Sequence, residues 1–179
     1  MNARIPSRQR ILNPLARPTI RAMLNRCTAQ VMIEVFEWGG SGNRLTELEA
    51  EIRAVLDAYD AKHTDSGEQL AAMVEDAKKI GIDYAYRPGS GEKVLVGREH
   101  DIYFLAAMIV LRRKGFAETR LVRYQNELCQ RIRYYNATFD GAPETVIDVM
   151  DDRLQRYGKA PSAQFAPVKP TAAQGRRSI

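Results

Sequence analysis

The residues best suited to chemistry are few. Glu99, His100 and Asp101 stand consecutively at the start of a helical pattern and offer two carboxylates and an imidazole. Adjacent positions on a helix point in different directions, so the three cannot close together on one metal or one substrate, and acids at a helix start are expected on dipole grounds alone. Only His63 could join from elsewhere in the chain. The glycine-rich loops Gly39–Gly42 and Gly89–Gly91 lack the features of a phosphate cradle: Lys93 is followed by Val94 rather than Ser or Thr, and three spaced glycines after a strand are absent. Both read as turns. No serine or cysteine has a visible base partner, and Asp151-Asp152 reads as helix-surface acid. These residues predict no catalytic set, no metal site and no cofactor, with a small enzyme centred on 99–101 as the least favoured reading.

The charged residues are more informative. The net charge of +5 is unevenly spread: residues 1–33 carry six arginines and no acid, residues 159–179 carry four basic residues and no acid, and 34–158 hold 17 basic against 22 acidic residues. Basic ends on an acidic middle suit a polyanion or an acidic neighbour. The contact residues expected there are Arg4, Arg8, Arg10, Arg17, Arg21, Lys169, Arg176 and Arg177. A second basic stretch runs from Arg112 to Arg133. Within it Arg120, Arg123, Tyr124 and Arg131 are expected to share one helical face, a combination suited to phosphate or to an acidic protein surface, or else to pairing with the acidic 44–83 region.

Cys27 and Cys129 match no ligand or redox spacing and read as free thiols in a reducing compartment, which predicts a cytoplasmic protein. The arginine-rich, acid-free start also fits an organellar transit peptide, while the lack of an apolar core in it argues against a secretory signal. The longest apolar run, 104–111, is too short for a membrane span, so no membrane partner is expected.

The elements that must carry these residues follow from periodicity. The prolines at 6, 14 and 18 predict an extended basic arm over 1–18, with Thr19 capping a helix. Ile20, Leu24, Cys27, Val31, Val35 and Trp38 recur at helical spacing, although 30–38 also suits a strand. Helices are predicted over 44–62, with Glu47, Glu49 and Glu51 in its early turns; over 66–80, where Ser66 and Gln69 form a capping-box pattern; over about 99–114; over 117–136; and from Pro143 to Tyr157. Alternation at Ile82, Tyr84 and Tyr86, a turn-rich stretch and then Val94–Val96 predict one β-hairpin at about 82–96 that Gly97 ends, and Gly81, Gly115 and Gly158 read as helix stops.

The expectation is a mainly α protein, a bundle of five to six helices with that hairpin, in which 1–18 is an arm, 19–158 a single helical domain and 159–179 a Pro/Ala-rich basic tail. All the apolar periodicity falls between Ile20 and Tyr157, so both ends are expected to be dispensable for folding. The function this points to is a non-enzymatic structural component of an oligomeric assembly, of the virion or bacteriophage connector type, with basic ends contacting other subunits of itself or of the assembly, or nucleic acid. A DNA-binding regulatory or accessory protein using 112–133 is the alternative.

Overall fold

The computed structural model describes residues 16–39, 43–84, 92–138 and 143–167. They form six helices: α1 (Ala16–Glu34), α2 (Asn43–Asp60), α3 (Ser66–Lys79), α4 (Glu92–Arg113), α5 (Glu118–Thr138) and α6 (Pro143–Gln155). α1 and α4 lie at the centre and touch each other. α1 also packs on α2, α5 and α6, and α4 on α2, α3 and α5.

The hairpin is not present. Ile82–Tyr84 is irregular, and Val94–Val96 belongs to the first turns of α4, which starts about seven residues before the expected point; 85–91 lies outside the described residues. Among the described residues there is no strand. A contiguous Val-Leu-Val run suits a buried helix as well as a strand, and here it continues the apolar pattern of Ile102–Leu111, every residue of which is buried. Gly97, expected as a stop, is interior to α4.

α1 also starts earlier than expected. It begins at Ala16 with Pro18 in its first turn, where the missing amide hydrogen had no intrahelical partner to lose, so Thr19 is a helix residue rather than a cap. The ambiguous stretch 30–38 is helix to Glu34, then a turn in which Glu37 adopts φ +57° and the Trp38 amide reaches back to the Met32 carbonyl. α3 is capped by Asp65 rather than Ser66: its carboxylate accepts from the amides of Gly67 and Glu68 (2.8 and 3.0 Å), and a formal charge suits the positive end of the helix.

α3 and α4 end alike. Gly81 and Gly115 take left-handed φ (+74° and +88°), and the next amide returns five residues back, Ile82 to Ala77 and Phe116 to Leu111. The turn throws the following apolar side chain inward, so Ile82 and Phe116 are both core residues. α6 closes with the same hydrogen bonds, Lys159 to Leu154, but there the side chain thrown inward is charged. The packed body then continues past Gly158 to Phe165, which is 2% exposed and meets Tyr103 edge-on at 5.9 Å.

Candidate functional site

The most unusual feature of the core is the polarity of its central helix. Arg21, Asn25, Arg26, Thr28 and Gln30 of α1 are all buried. Each must find a partner, because an unpaired polar group away from water costs more than a hydrogen bond gains.

At the start of α1, Arg21 grips Asp60 at the end of α2 with a two-pronged fork (2.6 and 2.9 Å), and Gln69 of α3 donates to the same carboxylate (2.8 Å). Arg17 lies 2.8 Å from Glu99 of α4, whose other oxygen is 3.4 Å from Arg21 Nε. Burial alone would push the Asp60 carboxyl up, but the Arg21 fork, Gln69 and Arg17 outweigh it and hold it below the ordinary range. Glu99 goes the other way: burial pushes it up and the arginines offset only part of that.

One turn on, Asn25 donates to Glu49 of α2 (3.0 Å) and accepts from the Tyr103 hydroxyl (3.1 Å), while Lys159 completes the Glu49 carboxylate at 2.9 Å. Glu49 is therefore a core residue rather than a dipole-matching surface acid. Arg26 forks onto Asp151 of α6 (2.8 and 3.0 Å), and its Nη1 donates to two carbonyls, Ala22 (3.1 Å) and Phe165 (2.9 Å). Farther along, Thr28 and Tyr124 share a hydroxyl–hydroxyl bond, Gln30 accepts from Tyr135, and Glu34 gathers Arg131 (2.6 Å), Arg153 (3.1 Å) and the Tyr157 hydroxyl.

These pairs account for much of the basicity expected to face outward. Arg21 is 3% exposed and spent on Asp60 and Glu99; Arg17, half-buried, is paired beside it. Arg4, Arg8, Arg10, Lys169, Arg176 and Arg177 lie outside the described residues. On α5, Arg120, Arg123, Tyr124 and Arg131 do not form one outward face. Tyr124 is in line with Leu121 and Leu128 and is fully buried, and Arg131 turns to Glu34. Arg120 lies over the Phe116 ring (4.0 Å) and Arg123 over Phe36 (5.7 Å), both still open to solvent. The outward face of α5 includes Arg120, Val122, Arg123, Asn126, Gln130, Arg133 and Tyr134, with Val122 and Tyr134 about half exposed.

Glu99, His100 and Asp101 diverge as helix geometry requires. Glu99 faces α1, whereas His100 and Asp101 face a cavity beside Tyr84 and α5. No group of three metal-ligating side chains converges among the described residues, and no described helix is long and apolar enough to cross a membrane. No protein-family model, curated protein or solved structure matches this chain.

The two hydrogen bonds from Arg26 Nη1 have a further consequence, because they bring Ala22, near the start of α1, together with Phe165, near the end of the described chain. From Ala22 the helix runs back to Ala16, about 9 Å at 1.5 Å per residue. From Phe165 the described chain continues only to Pro167, at most about 7 Å. Segments 1–15 and 168–179 therefore join the body at points at most roughly 25 Å apart. Each carries three basic residues and no acid, whereas 16–167 holds 21 basic against 22 acidic residues.

Proposed function

We propose that this protein is a non-enzymatic component of an oligomeric assembly, and that it engages a polyanionic partner, nucleic acid or an acidic neighbouring subunit, through its two basic end segments acting together. The observation that carries the reading is the geometry just described: two segments with three basic residues each and no acid leave the body within roughly 25 Å of each other, and the body's own charges nearly cancel. Two weak electrostatic contacts joined to one rigid body act at a high effective concentration, so the pair binds more strongly than either alone. The exposed arginines of α5 form a second basic surface, and they carry the alternative reading of a DNA-binding accessory protein.

Binding to duplex DNA at increasing salt tests this. Neutralising six phosphates corresponds to a slope of log affinity on log salt of about −5, at −0.9 per phosphate. Changing Arg4, Arg8 and Arg10 to glutamine, or Lys169, Arg176 and Arg177 to glutamine, should each roughly halve the slope and leave the thermal midpoint unchanged. If changing Arg120, Arg123 and Arg133 together abolishes binding while protein lacking both basic segments still binds, the site is α5 and the regulatory reading replaces this one. Native mass measurement tests the assembly claim, since a strict monomer with no interacting partner is not an assembly component.

A further inference from the structure

Between the Ile82–Tyr84 segment, the first half of α4 and the middle of α5 lies a cavity of about 290 Å³, lined by Tyr84, Gly97, His100, Asp101, Phe104, Gln125, Cys129, Ile132 and Arg133. That is at the small end of ligand pockets, roughly 300–1,000 Å³, and about twice a cavity of ~150 Å³ that holds benzene. Phe104 and Ile132 make it largely apolar.

Its one acidic group lacks a cation. Asp101 accepts from the Tyr84 hydroxyl through Oδ1, and no lysine or arginine of the described residues lies within ion-pair distance of it. Burial pushes the Asp101 carboxyl up and, as the larger influence on it, pushes the neighbouring His100 down, so the imidazole is neutral near pH 7 and supplies a lone pair rather than a charge. The buried carboxylates among the described residues, Glu49 and Glu99, are each met by a basic side chain. Asp101 is not.

We propose that this cavity binds a small organic amine, its ammonium seated between Asp101 and His100 and its apolar body against Phe104 and Ile132. An ammonium offers three donors, and the second oxygen of Asp101 and the His100 imidazole on α4 and the Gln125 amide oxygen on α5 are acceptors lining the same cavity. The alternatives fit less well. An anion would meet the Asp101 carboxylate with only Arg133, at the exposed edge, to attract it. A purely apolar guest would strip water from an unpaired carboxylate. A metal ion would lack the ligands, since no three converge among the described residues.

Benzylamine and its uncharged counterpart benzyl alcohol are suitable probes, titrated calorimetrically into the full chain at neutral pH. A charge-assisted hydrogen bond to a half-buried carboxylate corresponds to roughly a tenfold preference or more for the amine. Asp101→Asn should erase that preference while leaving weak binding of both probes. Should Asp101→Asn fail to fold, Gly97→Leu serves instead. A Cβ at Gly97 meets nothing within 4 Å, so the new side chain has room to occupy the cavity, and replacing a helix-interior glycine does not weaken α4. It should abolish benzylamine binding without lowering the thermal midpoint. Equal affinity for the two probes, no binding of benzylamine by folded protein, retention of the preference by folded Asp101→Asn, or unaltered binding in Gly97→Leu would each overturn the assignment.

Discussion

Phe165→Ala should destabilise the protein substantially, although Phe165 lies in a stretch whose composition reads as a solvated tail. The ring is 2% exposed and packs edge-on against Tyr103, itself fully buried on α4. Phe-to-Ala changes in cores cost about 3–5 kcal/mol, and a site near the end of the packed chain can partly collapse, which places this one near 3. For a protein of this size each kcal/mol moves the thermal midpoint by about 2–4 °C, so a fall of roughly 6–12 °C is expected. Deleting 160–179 should do slightly more, because it also removes the Phe165 carbonyl that Arg26 donates to. That extra loss is only about 1 kcal/mol, since Arg26 retains its Asp151 fork and the Ala22 carbonyl. Deleting only 168–179 is the control and should leave the midpoint within a degree or two. Thermal melts by circular dichroism, backed by urea titration, read all three. If the 160–179 and 168–179 deletions melt together with the full chain, Phe165 is not part of the folding unit and the tethering of the two ends falls with it.

Other outcomes follow from the buried polar layer. Leu105→Ala, in the fully buried stretch of α4, should cost about 2–5 kcal/mol by urea denaturation. Lys159→Ala strands the Glu49 carboxylate in the core and should cost about 3–5 kcal/mol; adding Glu49→Gln should restore part of it in a double-mutant cycle. The Asp60 and Glu34 carboxyls are held below their ordinary range, so the folded form binds fewer protons there than the unfolded chain. Their stabilisation is fully present above the unfolded values near pH 4, by about pH 5, and is lost as pH falls toward the lower folded values; Asp60→Asn should flatten that acid slope. The Cys27 thiol is pushed up to about 12 by burial, so at pH 8 it should resist alkylation until the protein unfolds, whereas the partly buried Cys129, whose thiol burial also raises, should react slowly in the native state and ahead of Cys27; mass spectrometry of labelled protein distinguishes the two.

The helices were legible in the sequence because their stripes are regular. Leu45, Leu48, Ile52 and Leu56, or Leu70, Met73 and Ala77, repeat at a spacing that only a helix can bury on one side, and each set lies in the core. The glycines ending α3, α4 and α6 were legible for a similarly local reason, since a left-handed residue is needed at those points. The helical body was thus an expectation that local pattern alone supports.

What local pattern could not decide was where each polar side chain goes. Val94–Val96 satisfies strand and helix equally, and only the continuous packing of α4 against its neighbours selects the helix. An arginine counts as +1 whether it faces water or a carboxylate, so counting charge left Arg21 and Arg131 as surface candidates and gave Arg26 no role, whereas the fold spends Arg21, Arg26 and Arg131 on Asp60, Asp151 and Glu34. Their partners lie 39, 125 and 97 positions away in the chain, and no periodicity reports a contact at such range. Phe165 likewise shows no period because it sits in no helix; it is buried because Arg26 holds its carbonyl and Tyr103 receives its ring. The sequence determines which faces are apolar, and the tertiary structure decides which charges meet, because pairing depends on distance in space rather than along the chain.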